Sequence, residues 1–276
     1  MIIDCGGKAL DLSRPCVMGI LNVTPDSFSD GGRFATIDAA LQQAGQMVAA
    51  GAAILDIGGE STRPGAAEVP VDEELERVVP VIERLRDAFD VPVSVDTSKP
   101  EVMRAAVAAG AGLINDVTAL RAQGALQAVA DLAVPVCLMH MQGEPRTMQA
   151  APQYGDVVAD ILGYLKSRVA ACQAAGIPAQ RLLLDPGFGF GKTLQHNLRL
   201  LARLEAFLEP GLPLLVGLSR KSMLGAVTGR PVGERMAASV AAALLAVQRG
   251  ASIVRVTFGL PPTANGAVEF ILSVAV

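Results

Sequence analysis

The sequence lacks several features that mark common classes of protein. It has no tryptophan and only two histidines in 276 residues. Its four cysteines stand far apart and form no Cys-x-x-Cys pair, which argues against a zinc site or a disulfide framework and indicates a reducing compartment. The net charge of −4 provides no general basic field. We therefore expect neither nucleic acid nor an anionic membrane as a partner.

Long apolar runs are also missing. No uninterrupted run approaches the ~18 residues that a membrane-spanning helix requires. The N-terminal segment lacks the basic stretch followed by an apolar stretch that marks a secretion signal, so we expect a soluble, cytoplasmic protein. No linker or low-complexity tract divides the chain, and residues 1–276 are expected to form a single domain.

What the sequence does contain is an alternation of short apolar runs with longer amphipathic segments, a pattern typical of βα units. Eight such units fit a closed (β/α)₈ barrel over residues 15–276 better than an open doubly wound sheet. Residues 1–14 are expected to form an N-terminal β-hairpin that closes the bottom of the barrel. The predicted strands are 16–21, 53–58, 91–96, 112–117, 134–139, 181–185, 213–218 and 252–256.

Helix signals accompany these runs. In residues 72–89, apolar residues recur at three- and four-residue spacing and predict one buried face, with Asp72 as the N-cap. The residues of that face are Leu75, Val78, Val79, Ile82 and Leu85. Glycines that follow helices and precede strands are expected at C-cap positions, namely Gly51, Gly110, Gly176 and Gly250.

Polar residues stand at the carboxyl end of every predicted strand, where active sites of this fold lie. They are Asn22, Asp56 with Glu60, Asp96, Asn115 with Asp116, His140, Asp185, Ser219 to Lys221, and Arg255. A lone polar residue there is more often a cap than a ligand contact. We therefore expect structural roles for Asp56, Glu60, Asp116 and His140.

Four of these residues predict recognition of a flat heterocycle. Asp96, Asn115 and Asp185 can accept hydrogen bonds from a ring N–H and its neighbouring amino group, and Lys221 can donate to a carbonyl or ring nitrogen.

Local positive charge predicts an anionic group on the same substrate. Arg63, Arg220 and Arg255 suit a phosphate or pyrophosphate. Asn22, in a loop with Asp26 and Asp30, offers oxygen to a hard cation such as Mg²⁺.

The stretch LDPGFGFGKT (184–193) superficially resembles a phosphate-binding loop. The spacing argues otherwise, because the first glycine of such a loop would fall on Pro186, which has no N–H. Lys192 is therefore not expected to bind phosphate. Two other loops, 22–34 and 58–70, have the length and composition of mobile lids.

Seven stretches, taken in order, closely resemble dihydropteroate synthases. They are GILNVTPDSFSDGG, DIGGESTRPGA, SVDTSKP, INDV, MHMQGEPRTMQ, LDPGFGFGKT and GLSRKSMLG. The resemblance covers roughly residues 16–255 and implies condensation of 6-hydroxymethyl-7,8-dihydropterin diphosphate with 4-aminobenzoate, giving 7,8-dihydropteroate and pyrophosphate. It also implies a cytoplasmic homodimer, a target for sulfonamides and a role for Mg²⁺.

The resemblance assigns roles to individual residues. It implies pterin binding by Asp96, Asn115, Asp185 and Lys221, and binding of Mg²⁺ and diphosphate through Asn22. An aminobenzoate pocket would be formed by Thr62, Arg63 and Pro64 on one side and by Phe190, Ser219 and Lys221 on the other. Arg255 matches half of an anion-binding Arg-x-His pair. The implied catalytic residues are Lys221, Arg255, Asp96 and Asn22, and pyrophosphate would leave before the aniline nitrogen attacks.

The chain departs from the family pattern near its end. Thr257 stands where the resemblance calls for histidine, and the tail from residue 256 is atypical. A change of reading frame and ordinary divergence both remain open as origins. A weakened or non-catalytic pterin-binding paralogue is therefore an alternative function. A pterin-binding methyltransferase is a further alternative, which GESTRPG and GLSRKSMLG disfavour.

Overall fold

The structure, a computed structural model, describes residues 1–23, 32–62, 65–144 and 147–257, and the backbone alone for 32–36. Eight parallel strands close into a barrel in the order β10-β3-β4-β5-β6-β7-β8-β9. The predicted barrel is thereby confirmed. The strands are β3 (Cys16–Asn22), β4 (Ala52–Gly58), β5 (Val93–Asp96), β6 (Leu113–Asp116), β7 (Val136–Met139), β8 (Leu182–Asp185), β9 (Leu214–Gly217) and β10 (Ala251–Thr257).

Helices follow the barrel strands on the outside. They are α1 (Gly32–Ala49), α2 (Val71–Ala88), α3 (Pro100–Ala109), α4 (Ala125–Leu132), α5 (Val157–Ala174), α6 (Leu194–Ala202), α7 (Ser222–Thr228) and α8 (Met236–Gln248). No helix among the described residues is long and apolar enough to cross a membrane. The atypical tail beyond Thr257 lies outside the described residues.

Helix α2 corrects two details of the sequence-based prediction. The N-cap is Pro70 and not Asp72. Asp72 is the second residue of the helix and contributes an acidic side chain to its first turn. The buried face carries Glu74 and Val81 in addition to Val78, Ile82 and Leu85. Leu75 and Val79 are only partly buried. Glu74 was missed because a carboxylate is not expected in a core unless it is paired.

The glycine caps are confirmed where a helix turns back into a strand. Gly110 caps α3 with a left-handed φ of 118°, and its N–H bonds the carbonyl oxygens of Ala106 and Val107. Gly51, Gly176 and Gly250 also have positive φ after α1, α5 and α8.

The N-terminal hairpin closes the bottom of the barrel, as predicted. Strands β1 (Ile2–Cys5) and β2 (Lys8–Asp11) pair antiparallel, and the side chains of Ile3, Cys5 and Leu10 are buried. They pack against an apolar group that we call the bottom layer, made of Cys16, Met18, Ile54, Leu113, Cys137, Leu183, Leu215 and Ile253.

Side chains alternate between two environments along each barrel strand. Outward-facing residues such as Leu55, Val95, Leu138 and Val216 join the large core under the helices. On β4, β6, β8 and β10, the inward-facing residue that lies two positions beyond the bottom layer is polar. The register brings those polar positions to the same end of the barrel.

Candidate active site

A layer of polar side chains fills the upper half of the barrel. We call it the polar layer, and its members are Asn22, Asp56, Asp96, Asn115, Asp185 and Arg255. Each follows a bottom-layer residue or another inward-facing residue by two positions on its strand, as Asp185 follows Leu183 and Arg255 follows Ile253. Because side chains alternate along a strand, polar residues of six strands lie in one layer. The sequence predicted that Asp96, Asn115 and Asp185 would lie at this end of the barrel.

Arg255 links two carboxylates inside this layer. Its Nε lies 2.5 Å from Asp56 Oδ2, and its Nη2 lies 2.5 Å from Asp96 Oδ2. Asp56 is fully buried. The third guanidinium nitrogen, Nη1, has no hydrogen-bond partner among the described residues. The expected structural role of Asp56 is thereby specified, because it accepts from Arg255 and fixes its direction.

Burial sets the charge state of the layer. Burial raises the pKa of Asp96 to about 7, with Arg255 opposing the shift and Asp56 adding to it. The pKa of Asp185 is also raised by burial, while the N–H of Gly187 and the charge of Lys221 oppose that shift. Burial lowers the pKa of Lys221 to about 8, although Asp185 favours its charged form. These groups therefore titrate closer to neutrality than they do in water.

Three buried polar atoms of the barrel interior have no partner among the described residues. They are Asp56 Oδ1, Ser94 Oγ and Asn115 Oδ1, on the adjacent strands β4, β5 and β6. An unpaired buried acceptor is costly in a structure unless something bonds it. Asn115 Oδ1 belongs to a side chain that lines the pocket described next, and it is therefore an acceptor available to a bound molecule.

One pocket opens above the polar layer. Its polar lining consists of Asn115, Asp185, Ser219, Lys221 and Arg255, and its apolar lining of Ile20, Val117, Met139, Phe188 and Phe190, with Gly217. Sequence reasoning missed Ile20, Val117, Met139 and Gly217. The two-residue alternation could have found them, because Ile20 precedes Asn22 by two and Val117 follows Asn115 by two.

Lys221 and Phe190 form one wall of the pocket. Lys221 Nζ lies 4.2 Å from the centroid of the Phe190 ring and donates to the carbonyl oxygen of Phe188 at 2.6 Å. A cation over an aromatic face is attracted by the ring quadrupole. The wall therefore combines an apolar ring with a positive charge, which suits a flat aromatic molecule.

Ser219 and Thr257 stand together at the ends of β9 and β10. Their hydroxyl oxygens lie 2.9 Å apart. Thr257, which replaces the expected histidine, is thus hydrogen-bonded to Ser219, a residue predicted to bind aminobenzoate. Thr62 is partly buried on the loop after β4, and Arg63 and Pro64 lie outside the described residues.

Asn22 ends β3 and is separated from Asp96 on β5 by Gly58 of the intervening strand β4. A Cβ placed on Gly58 would lie 3.4 Å from Asn22 Oδ1 and 3.8 Å from Asp96 Cβ, so both side chains lie against this glycine at the barrel mouth. No cluster of three His, Cys, Asp or Glu side chains suited to a metal occurs within the described part of the chain. An amide oxygen nevertheless suits Mg²⁺, which usually takes few protein ligands and completes its shell with phosphate and water.

Glu60 and Asp116 have the structural roles that the sequence predicted. Lys99 Nζ lies 2.5 Å from both Glu60 Oε2 and the buried Glu74 Oε2, and Glu60 Oε1 accepts from the N–H of Val69. The base of the 58–70 loop is thereby joined to α2. Asp116 caps the turn after β6 by accepting from the backbone of Thr118 and Leu120.

The 185–193 loop is held against the segment after β7. A Cβ on Gly187 would lie 1.9 Å from the carbonyl oxygen of His140, and one on Gly191 would lie 2.4 Å from that of Gln142. Both glycines also have positive φ. Gly187 and Gly191 therefore permit the close approach of two backbone segments.

Comparisons with known proteins agree with this geometry. The family model described as Pterin binding enzyme matches residues 18–257. A dihydropteroate synthase from Escherichia coli (strain K12) is 57% identical over 250 residues, covering 91% of this chain and 89% of that protein. One from Haemophilus influenzae is 56% identical over 256 residues, covering 93% of each.

Solved structures give the same result. Dihydropteroate synthase from Yersinia pestis, in complex with a sulfonamide drug, superposes with a TM-score of 0.92 at 52% identity, covering 100% of this chain and 98% of that one. The Xanthomonas albilineans enzyme with 4-aminobenzoic acid gives a TM-score of 0.91 at 56% identity, with coverage of 99% and 96%. The same enzyme with 7,8-dihydropteroate gives 0.88 at 54%, with coverage of 99% and 97%. The chain belongs to the pterin-binding enzyme family and, within it, to the dihydropteroate synthases.

Proposed function

We propose that the pocket condenses 6-hydroxymethyl-7,8-dihydropterin diphosphate with 4-aminobenzoate to give 7,8-dihydropteroate and pyrophosphate. The observation that carries this proposal is the buried Asn115 Oδ1, an acceptor without a described partner, in a pocket shared with Asp185 and Lys221. An apolar slot with a few convergent polar groups suits a flat heterocycle. The complexes of the Xanthomonas enzyme with 4-aminobenzoic acid and 7,8-dihydropteroate support the same substrates.

The pterin is held by the polar layer. Asn115, Asp185 and Asp96 accept from its ring N–H and amino groups, and Lys221 donates to a carbonyl or ring nitrogen. Asp96 has one oxygen bonded by Arg255 and offers the other. Recognition by several fixed acceptors selects a molecule with adjacent donors, because a mismatched molecule would leave buried oxygens unpaired.

Aminobenzoate is placed against the wall formed by Phe190 and Lys221. Ser219, Thr62, Arg63 and Pro64 complete this pocket in the proposal. The aromatic ring packs on Phe190, and the cationic residues attract the carboxylate. The Yersinia complex with a sulfonamide supports sulfonamides as ligands of the same pocket.

Departure of pyrophosphate needs stabilisation of negative charge and no nucleophilic side chain. Arg255 lines the pocket with Nη1 bonded to no described partner, and Asn22 ends the strand β3 that pairs with β10. Asn22 would hold Mg²⁺, which supplies positive charge to the departing diphosphate when bound. After departure, the polar layer stabilises the pterin cation that the amine of aminobenzoate attacks.

The assembly and compartment are part of the proposal. We propose a cytoplasmic homodimer with small molecules as its substrates and neither nucleic acid nor membrane as a partner. The acidic net charge supports the exclusion of nucleic acid and of an anionic membrane as partners, because it provides no basic field to attract them. Sedimentation equilibrium of the full chain measures the oligomeric state.

The test is pyrophosphate release from dihydropterin diphosphate with Mg²⁺, with and without 4-aminobenzoate. Release that depends on aminobenzoate supports a synthase, and binding without release favours the weakened paralogue. The comparisons give no support to that alternative, and Thr257 is the observation that motivates it. A Thr257→His variant should release pyrophosphate faster by about tenfold or more, since one added donor to a developing anion contributes on this order. Thr257→Val is the matched control, because it removes the bond to Ser219 without adding a donor.

A further inference from the structure

Lys192 is a buried lysine that the proposed chemistry leaves without a role. Its side chain is 3% exposed. Its ammonium is satisfied by neutral acceptors and not by an ion pair: Nζ lies 2.8 Å from the carbonyl oxygen of Gly187, 2.9 Å from that of Phe190 and 3.0 Å from Nδ1 of His140. Nζ also lies 3.4 Å from the carbonyl oxygen of His140. Burial lowers the pKa of this amine well below its ordinary value, and the four acceptors engage every N–H of the side chain in either protonation state. No proton of Lys192 is left for a phosphate.

The ring of His140 is the one side-chain acceptor of this arrangement among the described residues. The ring is buried and makes an edge contact with Tyr164, with the ring centroids 4.9 Å apart. Accepting from Lys192 at Nδ1 places the ring proton on Nε2 and keeps the imidazole neutral. Burial and the charge of Lys192 both favour the neutral ring, and together they lower the pKa of His140 to about 3.

Two of the carbonyls bonded by Lys192, those of Gly187 and Phe190, belong to the loop that forms the pocket. The N–H of Phe190 bonds the carbonyl oxygen of Gly187, which closes a tight turn. The Phe190 carbonyl is held by Lys192 from inside the protein, whereas the Phe190 ring faces Lys221 on the pocket side. The position of the ring is therefore fixed through a backbone in which two carbonyls, those of Gly187 and Phe190, accept from one buried amine.

A second contact restrains the same turn. The N–H of Gly189 donates to Asn197 Oδ1 at 2.8 Å, and Asn197 Nδ2 donates to the carbonyl oxygens of Thr193 and Lys192 at 2.8 and 3.3 Å. Asn197 is buried in α6. The turn is thus joined to a helix at one point and to the buried ammonium at two.

We propose that Lys192 is a positioning residue for the aminobenzoate pocket. Its ammonium holds the carbonyls of Gly187 and Phe190 so that the Phe190 ring stands against Lys221 with its face toward the pocket. Assigning that ring to aminobenzoate rests on the proposed function. The loop that resembles a phosphate-binding loop therefore uses its lysine to organise its own backbone.

The test replaces Lys192 with methionine, which keeps the length of the side chain and removes the three donors. Lys166→Met is the matched control, because Lys166 is half-exposed on α5 and pairs with Glu209 on the surface. In folded Lys192→Met we expect KM for 4-aminobenzoate to rise by about tenfold, because the loss of a few fixed hydrogen bonds changes an affinity on this order. KM for the pterin diphosphate should change much less, and the control should change neither constant.

Hydrogen–deuterium exchange of residues 186–191 gives a readout that needs no turnover. The amides of this turn should exchange faster in Lys192→Met than in the parent and in Lys166→Met. If the parent shows no turnover, the proposed function fails, and exchange alone then decides the role of Lys192. A variant with a lower Tm but with unchanged KM values and unchanged exchange would overturn the proposal, since it would show a purely structural lysine.

His140→Phe keeps the test decisive if Lys192→Met does not fold. This variant retains a ring against Tyr164 and removes the imidazole acceptor, leaving the contacts of Lys192 with the carbonyls of Gly187, Phe190 and residue 140 in place. We expect the same changes at smaller magnitude, about threefold in KM for 4-aminobenzoate, since the carbonyl hydrogen bonds persist. A folded His140→Phe protein with parental KM and parental exchange in the turn would contradict the proposal.

Discussion

The two ends of the barrel interior are built from the same eight strands and differ in almost every physical property. At the bottom, eight apolar side chains and the hairpin residues Ile3, Cys5 and Leu10 fill the space without a charge. At the top, two residues further along the strands, the interior instead holds Asp56, Asp96, Asn115, Asp185 and Arg255. The bottom of the barrel therefore serves stability, and the top serves function. Apolar burial stabilises the bottom. Burial of charges costs free energy at the top even when they are paired.

The polar layer shows this cost in its own geometry. Asp56 accepts from Arg255 through Oδ2, and its Oδ1 has no described partner. Asn115 donates to Asp56 through Nδ2, and its Oδ1 likewise has no described partner. A structure selected for stability alone would fill these positions as it fills the bottom layer. The comparison therefore predicts that substitutions at the bottom change the free energy of unfolding, whereas substitutions at the top change the reaction.

The largest effect is expected in the bottom layer. Ile54→Ala should lower the free energy of unfolding by about 2–5 kcal/mol, because it removes buried methyl groups and leaves a cavity. The side chain is fully buried and lies two residues before Asp56 on β4. Urea unfolding measures the loss, and kcat of the folded fraction should stay at the parental value.

Ile54→Val is the graded control and should cost about 0.5–1.5 kcal/mol. A fall in kcat that grows in proportion to the lost stability would break the comparison, since it would show that the bottom layer also shapes the pocket.

The second prediction concerns the opposite end. Asp185→Asn keeps the shape of the side chain and an oxygen for the N–H of Gly187, which now lies 2.7 Å from Oδ1. We expect kcat/KM for the pterin diphosphate to fall by about 100-fold, because a hydrogen bond to a charged group contributes roughly 1.5–3 kcal/mol. Stability should not fall, since burial raises the pKa of this carboxyl and its charge is disfavoured in the fold.

Steady-state kinetics and urea unfolding on the same preparation check both halves of this prediction. Equal losses of stability and activity would show that Asp185 mainly supports the fold.

The sequence predicted the barrel because the two patterns that indicate it, apolar runs and glycine caps, are local. Apolar runs such as 181–185 and glycine caps such as Gly110 depend on neighbouring residues alone, and both are confirmed. The positions of Asp96, Asn115 and Asp185 at the barrel mouth also followed, since each stands at or next to the carboxyl end of a barrel strand. Their functional roles stay predictions, as does that of Asn22.

Other features could not be predicted because they depend on distant partners. The ion pairs of Arg255 join residues that are 199 and 159 positions apart. Burial of Glu74 becomes understandable only when Lys99 is seen beside it, and the role of Lys192 depends on His140, which is 52 positions away. Composition and spacing do not carry this information, whereas closure of the barrel creates these contacts.

The third prediction uses the pH dependence of substrate binding. The pKa of Lys221 is lowered by burial to about 8, so the amine is protonated below that pH and loses its proton above it. KM for the pterin diphosphate should therefore rise above pH 8, by at most about tenfold per pH unit, since one proton is lost.

Lys221→Arg provides the control, because arginine stays charged over this range. The rise above pH 8 should disappear in this variant, whatever its absolute KM. A rise that persists would assign the titration to the substrate or to another residue.

The smallest effect is expected for His140, a neutral base buried under the pocket. Its folded-state pKa of about 3 lies below the ordinary value of 6.5. Between these values the unfolded chain takes up a proton that the folded protein does not, so stability decreases as the pH falls from about 6.5 towards about 3. His140→Phe should lower this slope by up to about 1.4 kcal/mol per pH unit. Urea unfolding at pH 6 and pH 5 measures the difference for both proteins, and equal slopes would show that the histidine is protonated in the fold and that Lys192 does not donate to it.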